Sequence, residues 1–296
     1  MTPSARALAS LLIAALAMPS AIGAQIRASE LASVSQTIDG TTLTVTYSRP
    51  SVRGRDSLFG NPKVVRWGEV WTPGANWATT LELSRQVRIA GKTVRKGTYS
   101  VWMVVRPARE WTLVLDPNVK LFHMAHPDSN AAQIRAPIRM ENGPFTETLT
   151  WSFPVVRATG GSLMMQWGTA RVTLDIAVEP SLSVTFPQSE AAPYLGRYDY
   201  SETENGATTH STFIVSYENG TLKGEWDPMD RYMKRFALVR IAPDWFAPGL
   251  YDEKGEIYEV LRPDETIAFT RKDGRVTSLE VRGGDDKLYG SATRKP

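Results

Sequence analysis

At 296 residues the chain is long enough for two ordinary domains, each with its own core, and 42% hydrophobic against 22% charged residues excludes a disordered tract. The chain has no cysteine, which excludes disulfides, thiolate metal sites, thiol nucleophiles and the acylated cysteine of a lipoprotein. A formal net charge of +3, with no concentrated basic stripe and no nucleic-acid motif, gives no reason to expect a nucleic-acid partner.

Residues 1–24 read as a secretory signal peptide. Arg6 supplies the positive start, Ala7 to Met18 form an apolar run, Pro19 breaks it, and Ala21-Ile22-Gly23-Ala24 offers small residues for cleavage. The run is shorter than the ~20 apolar residues that span a bilayer, and no later segment is long and apolar enough. The expected mature chain is soluble and has no membrane span. The expected location is periplasmic or extracellular.

Residues 25–179 read as one domain built of short strands. Leu43, Val45 and Tyr47 alternate with Thr and Ser, the period-two signature of a half-buried strand. Leu81 and Leu83 follow, then Val87 and Ile89, then Tyr99 to Val105, then Trp111, Leu113 and Leu115. Leu149, Trp151 and Phe153 precede Leu163, Met165 and Trp167, and Val172 to Val178 complete the set. Asp39-Gly40, Ala90-Gly91, Lys96-Gly97 and Gly160-Gly161 punctuate them as turns. Many short strands with glycine turns predict an antiparallel β-sandwich. Residues 180–193 carry Pro180, Pro187 and Pro193 among Ser, Gln and Ala, and read as a linker. Residues 194–296 again hold strands at short spacing, with the Asn219-Gly220 hairpin as the strongest turn signal. About eight strands in a meander predict a small closed barrel, and the fold class is all-β.

From Ser35 the first domain resembles a family known as DUF2911, an exported bacterial domain of unknown function. The resemblance rests on Ser35–Gly40, Tyr47–Arg55, Trp67–Trp71, Gly74–Thr80, Lys96–Ser100 and Glu110–Thr112. The family pattern is similar to W-R-x-G-A-N-E, whereas this chain reads Trp71-Thr72-Pro73-Gly74-Ala75-Asn76-Trp77, with Thr72 and Trp77 at the Arg and Glu places. The resemblance implies no known activity. Residues 194–294 resemble the lipocalin-like β-barrel at the C-terminus of serine peptidases related to β-lactamases. The carriers are Tyr194-Leu195-Gly196-Arg197-Tyr198, the Asn219-Gly220 hairpin, Phe269–Arg271 and Asp273–Leu279. That resemblance implies an accessory module without chemistry of its own.

Three clusters stand out as candidate sites. Arg49, Arg53 and Arg55 flank Pro50 and Gly54, and three guanidinium groups suit a carboxylate or phosphate. Trp67, Trp71 and Trp77 crowd one Gly- and Pro-bearing stretch with Asn76, a set suited to stacking on a sugar or aromatic ligand. Set against these uses, the arginines can equally pair within the domain, and the indoles can plug its open end. His123, His126 and Asp128 form H-x-x-H-x-D, a weak candidate for Zn²⁺ that lacks a third strong ligand nearby. No G-x-S-x-G, G-x-G-x-x-G or P-loop appears, so no cofactor is expected and no catalytic residue is assigned. The favoured expectation is a non-enzymatic envelope protein that binds a small molecule, glycan or peptide. The alternatives are a metal-dependent hydrolase using His123, His126 and Asp128, and a purely structural envelope component.

Overall fold

The structure, a computed structural model, describes residues 27–228, 233 and 235–296. The expected signal peptide lies outside these residues. The first half is one ten-stranded antiparallel sheet: β1 (Glu30–Ile38), β2 (Thr41–Arg49), β3 (Val70–Trp71), β4 (Thr80–Leu83), β5 (Val87–Ile89), β6 (Lys92–Val94), β7 (Gly97–Val104), β8 (Glu110–Asp116), β9 (Ile134–Arg157) and β10 (Gly160–Val178). The spatial order is β1-β2-β4-β7-β8-β9-β10-β5-β6, with β3 against β7.

The two layers of the sandwich are parts of this single sheet. β9 is 24 residues long. Its Ile134–Arg139 portion pairs with β8, and the rest pairs with β10. The sheet thereby doubles over, and its inward residues meet in one core, which includes Leu43, Val45, Met103, Leu113, Trp151 and Met165. Each such side chain contributes roughly 1.5–3 kcal/mol by leaving water. The fold closes where the chain just past β2 docks on β9. Leu149 N donates to Pro50 O at 2.9 Å and Val52 N to Glu147 O at 2.8 Å, while Trp151 N donates to Tyr47 Oη at 3.0 Å. The outer face of β7 and β8 is also apolar. Trp102, Val104 and Val114 lie there under Val70, Ala78 and Leu121, so two loops cover what would otherwise be an exposed patch.

The second half is β11 (Gly196–Glu204), β12 (Ala207–Glu218), β13 (Thr221–Asp227), β14 (Arg235–Ala242), β15 (Trp245–Tyr251), β16 (Ile257–Val260), β17 (Glu265–Lys272), β18 (Arg275–Gly283) and β19 (Leu288–Arg294). Eight of these form a closed antiparallel barrel, sealed by the β14–β15 and β11–β19 pairings, with β16 lying beside β15 outside the ring. The turn between β12 and β13 places Asn219 at φ 51° and Gly220 at φ 80°, the left-handed pair that the right-handed twist of a hairpin requires.

The barrel interior is filled by side chains. Tyr198, Phe213, Phe236 and Phe246 are fully buried. Phe213 lies 4.6 Å from the Trp226 ring, and Phe246 lies 5.5 Å from the Phe269 ring. The expected linker between the halves is pinned at both ends. The Asp39 carboxylate accepts both Ser181 N and Ser181 Oγ. Phe186 is buried at the barrel, with its carbonyl accepting Tyr217 Oη at 2.7 Å and the Arg240 guanidinium 4.3 Å over its ring. A short helix α1 (Gln188–Ala191) and one 3₁₀ turn, Ala192–Tyr194, lead into β11. Its prolines mark a linker by composition, but Phe186 gives it an anchor that composition does not reveal.

Candidate functional site

The three arginines are spent largely on their own domain. Arg49 donates from Nε to Leu149 O at 3.2 Å and from Nη2 to Thr150 Oγ1 at 3.0 Å, tying β2 to β9. Arg53 sits at φ 53°, and its Nη2 donates to Ala28 O at 2.8 Å while its backbone N–H meets the Glu147 carboxylate at 2.8 Å. Arg55 donates to Ser51 O, and its guanidinium lies 5.9 Å from the centroid of Trp167. Its Nε and Trp167 Nε1 are both buried without a hydrogen-bond partner among the described residues. Trp71 is buried and stacks on Trp167 at 5.9 Å and 11°, with Phe59 edge-on to Trp71 at 5.3 Å. Arg55 and Trp71 are thus brought together around Trp167, inside the end of the sandwich. Trp67 is half-exposed and packs across Gly60, whose position admits no side chain without displacing that indole.

The segment from Trp71 to Thr80 is tightly built. Thr72 Oγ1 donates to Val101 O and accepts from Thr79 N, both at 2.9 Å. Thr79 Oγ1 and Trp151 Nε1 both donate to Pro73 O, at 2.9 and 3.1 Å. A Cβ on Gly74 would fall 2.5 Å from Thr79 Oγ1. Thr72, which stands where the family pattern has Arg, and Pro73 beside it therefore carry hydrogen bonds that join the layers. Asn76 adopts φ 62° and donates from Nδ2 to Ser29 O and Ser48 Oγ. It acts as a bracket rather than as a free amide.

Trp77 emerges from this segment with 61% of its surface exposed, although Ala78 and Thr79 beside it are buried. Residues 76–78 pair with the loop after β8. Ala78 N donates to Leu121 O at 2.8 Å and His123 N to Asn76 O at 2.7 Å, with a bridge between Trp77 and Phe122. The Trp77 and Phe122 rings meet edge to face at 5.8 Å and 88°, and the His123 ring lies 4.5 Å from Phe122. Phe122 and Met124 are exposed as well. Partial burial lowers the His123 pKa below the ordinary histidine value, while the nearby Glu69 charge acts in the opposite direction. The imidazole is therefore neutral at pH 7. The loop carrying Phe122 hangs on the buried Asp116. Its Oδ1 accepts Asn118 N at 2.7 Å, and its Oδ2 accepts Gln133 Nε2 at 2.8 Å and Asn130 Nδ2 at 3.3 Å.

His126 and Asp128 lie on the same loop as His123. His126 Nδ1 is 3.4 Å from Pro127 O, and the Asp128 carbonyl accepts from Asn130 and Gln133. Among the described residues, no three His, Cys, Asp or Glu side chains are grouped to hold a metal ion. The sequence candidates thus split. Arg55 and Trp71 share the inner aromatic cluster, Arg49, Arg53 and Asn76 serve as ties, and Trp77 and His123 share an outer ledge. Phe122 was missed by the sequence reading. Its signal was an apolar triplet, Leu121, Phe122 and Met124, in a loop otherwise rich in polar residues.

No curated protein and no solved structure matches this chain. A family model described as a protein of unknown function, DUF2911, matches residues 29–176, which include the Trp71–Thr80 segment and the loop that pairs with it. The chain belongs to the DUF2911 family.

Proposed function

We propose that the chain is a non-enzymatic binding protein of the bacterial cell envelope, and that the Trp77–Phe122 ledge holds a saccharide. The observation that carries this reading is the contrast at Trp77. A large indole projects into solvent from a backbone segment whose neighbours are buried and hydrogen-bonded. A ring held this way loses little conformational entropy on binding. The flat apolar face of a sugar ring stacks on such an indole, and its hydroxyls can hydrogen-bond the His123 imidazole, whose ring lies 4.5 Å from Phe122. The envelope location rests on the signal-like residues 1–24, and the barrel serves as an accessory module.

The test is a titration of the full mature chain with soluble oligosaccharides, including glucans, galactans, chitin fragments and peptidoglycan fragments, followed by tryptophan fluorescence and calorimetry. Binding of one class, weakened about tenfold or more in Trp77→Ala, supports the reading, since tenfold corresponds to about 1.4 kcal/mol. A folded Trp77→Ala variant with unchanged affinity, or no binding across the panel, overturns it.

A further inference from the structure

A cleft of about 560 Å³ opens between the two halves, and a second recess of about 640 Å³ adjoins it. The two share Asp39, Arg157, Leu182, Glu256, Ile257 and Val260 as lining. The walls come from three sources: the sheet supplies the β9–β10 turn and Ile176, the linker supplies Leu182 and Val184, and the barrel supplies Val239, Tyr251 and the β15–β16 turn. Clefts of this size at domain junctions are common places for small ligands.

The chemistry of the lining is uneven. Leu182, Val184, Ile257 and Val260, each partly exposed, form an apolar floor backed by the buried Ile176 and Val239. Asp39, Asp175 and Glu256 stand with it in the first cleft, where Arg157 is the one basic side chain. In the second recess Asp252 and Glu259 join Asp39 and Glu256, against Arg157, Lys254 and Arg262. The Asp39 carboxylate is occupied by Ser181. Asp175, Glu256 and Glu259 enter no ion pair among the described residues, although other surface carboxylates of the barrel do, such as Glu218 with Lys223 and Arg235. An acidic excess that the protein leaves unpaired above an apolar floor is complementary to a cation with a hydrocarbon body.

We infer that this cleft binds a small amphipathic cation, with its apolar body against Leu182, Val184 and Ile257 and its ammonium or amidinium group facing Asp175 and Glu256. This is a second site, independent of the Trp77 ledge. It also gives the pinned linker a role, because Leu182 and Val184 form one wall of the cleft only while Ser181 stays docked on Asp39.

The experiment is calorimetric titration of the full mature chain with three probes of equal tail length: octylamine, octanol and octanoate. Saturable one-to-one binding of octylamine, at least tenfold tighter than octanoate, is expected. The Asp175→Asn/Glu256→Gln variant should weaken octylamine about tenfold and leave octanol unchanged. Ile257→Arg should abolish binding of both, with circular dichroism confirming that each variant folds. Octanoate binding as tightly as octylamine, an unaltered octylamine affinity in the folded double variant, or no saturable octylamine binding overturns the inference.

Discussion

Replacing Gly224 by alanine tests whether the barrel is a solid body or a container. Gly224 lies on β13 and faces the interior. A Cβ built there falls 2.7 Å from Phe236 Cε2 and 2.8 Å from both Phe213 Cζ and Phe236 Cζ. Carbon atoms pack at about 3.5–4.0 Å, so the new methyl group must displace both rings by close to 1 Å. Neither ring has slack. Both are fully buried, they stack on each other at 6.0 Å and 27°, and Phe213 also packs on Trp226. Overpacking of this kind costs about 1–3 kcal/mol. Alanine regains about 0.5–1 kcal/mol, because glycine loses more backbone freedom on folding into a strand. The net expectation is a loss of about 1 kcal/mol at the centre of these ranges and up to about 2.5 kcal/mol. An interior with free volume would reverse the sign and leave only the entropic gain. Hydrogen exchange of the β12 and β13 amides in the full chain reads this locally, at about fivefold faster exchange per kcal/mol lost. In the Phe236→Leu background the penalty of Gly224→Ala should shrink by 0.5 kcal/mol or more, since the two positions touch. Unchanged or slower exchange in Gly224→Ala would refute the filled interior.

Ser100→Ala should destabilise the sandwich by about 1–3 kcal/mol in chemical denaturation, because the buried Trp102 Nε1 then loses its acceptor at 2.9 Å and Asn118 O its donor at 2.7 Å. Asp116→Ala should release the loop of residues 117–133. Protease cutting within that loop and lower saccharide affinity at the Phe122 side of the ledge are the readouts, with β-type circular dichroism retained. The Asp244 carboxyl is held below the ordinary aspartate pKa, first by its hydrogen bond from Arg271 and then, against the opposing effect of burial, by that from Tyr194 Oη. A lowered folded-state pKa gives stability that is present above the unfolded value of about 3.9 and is lost as the pH falls through and below it. Thermal stability of the native chain should therefore drop on acidification from about pH 5, and Asp244→Asn should flatten that limb while lowering the neutral plateau.

The strands were legible in the sequence because alternation and turn residues act locally. Leu43–Tyr47, Val87–Ile89 and the Asn219-Gly220 hairpin stand where period two and paired positive-φ residues put them. The bend of β9 was not legible, since nothing at Arg139–Met140 marks the exchange of β8 for β10 as partner. That exchange depends on which strands are already in place. Trp102 and Val104 were visible as a second apolar face of β7, but the loops that cover them come from Val70, Ala78 and Leu121, distant in sequence. The candidate site was legible in part for a related reason. Residue type flagged Trp67, Trp71 and Trp77 alike, whereas their separation into a buried ring, a packed ring and an exposed ring is a property of the tertiary fold. The role of Phe122 exists only through its pairing with Trp77.

The closures of the two halves set a schedule for folding. The first sheet seals through contacts about 100 residues apart, such as Tyr47 with Trp151, and the barrel seals when β19 reaches β11, with Arg294 donating to Pro193 O. Loop closure over such distances must precede the contacts that reward it, which makes both halves slow to form relative to local hairpins. All strands of the sheet have emerged once residue 178 has left the ribosome, while the barrel lacks its final stave until Leu288–Arg294 arrives. In the interval β11 and β18 present open edges, the usual starting point for wrong pairing between chains. A nascent or C-terminally nicked molecule is thus a finished sheet carrying an unclosed barrel, and its half-life against aggregation is governed by the last strand rather than by the size of either core.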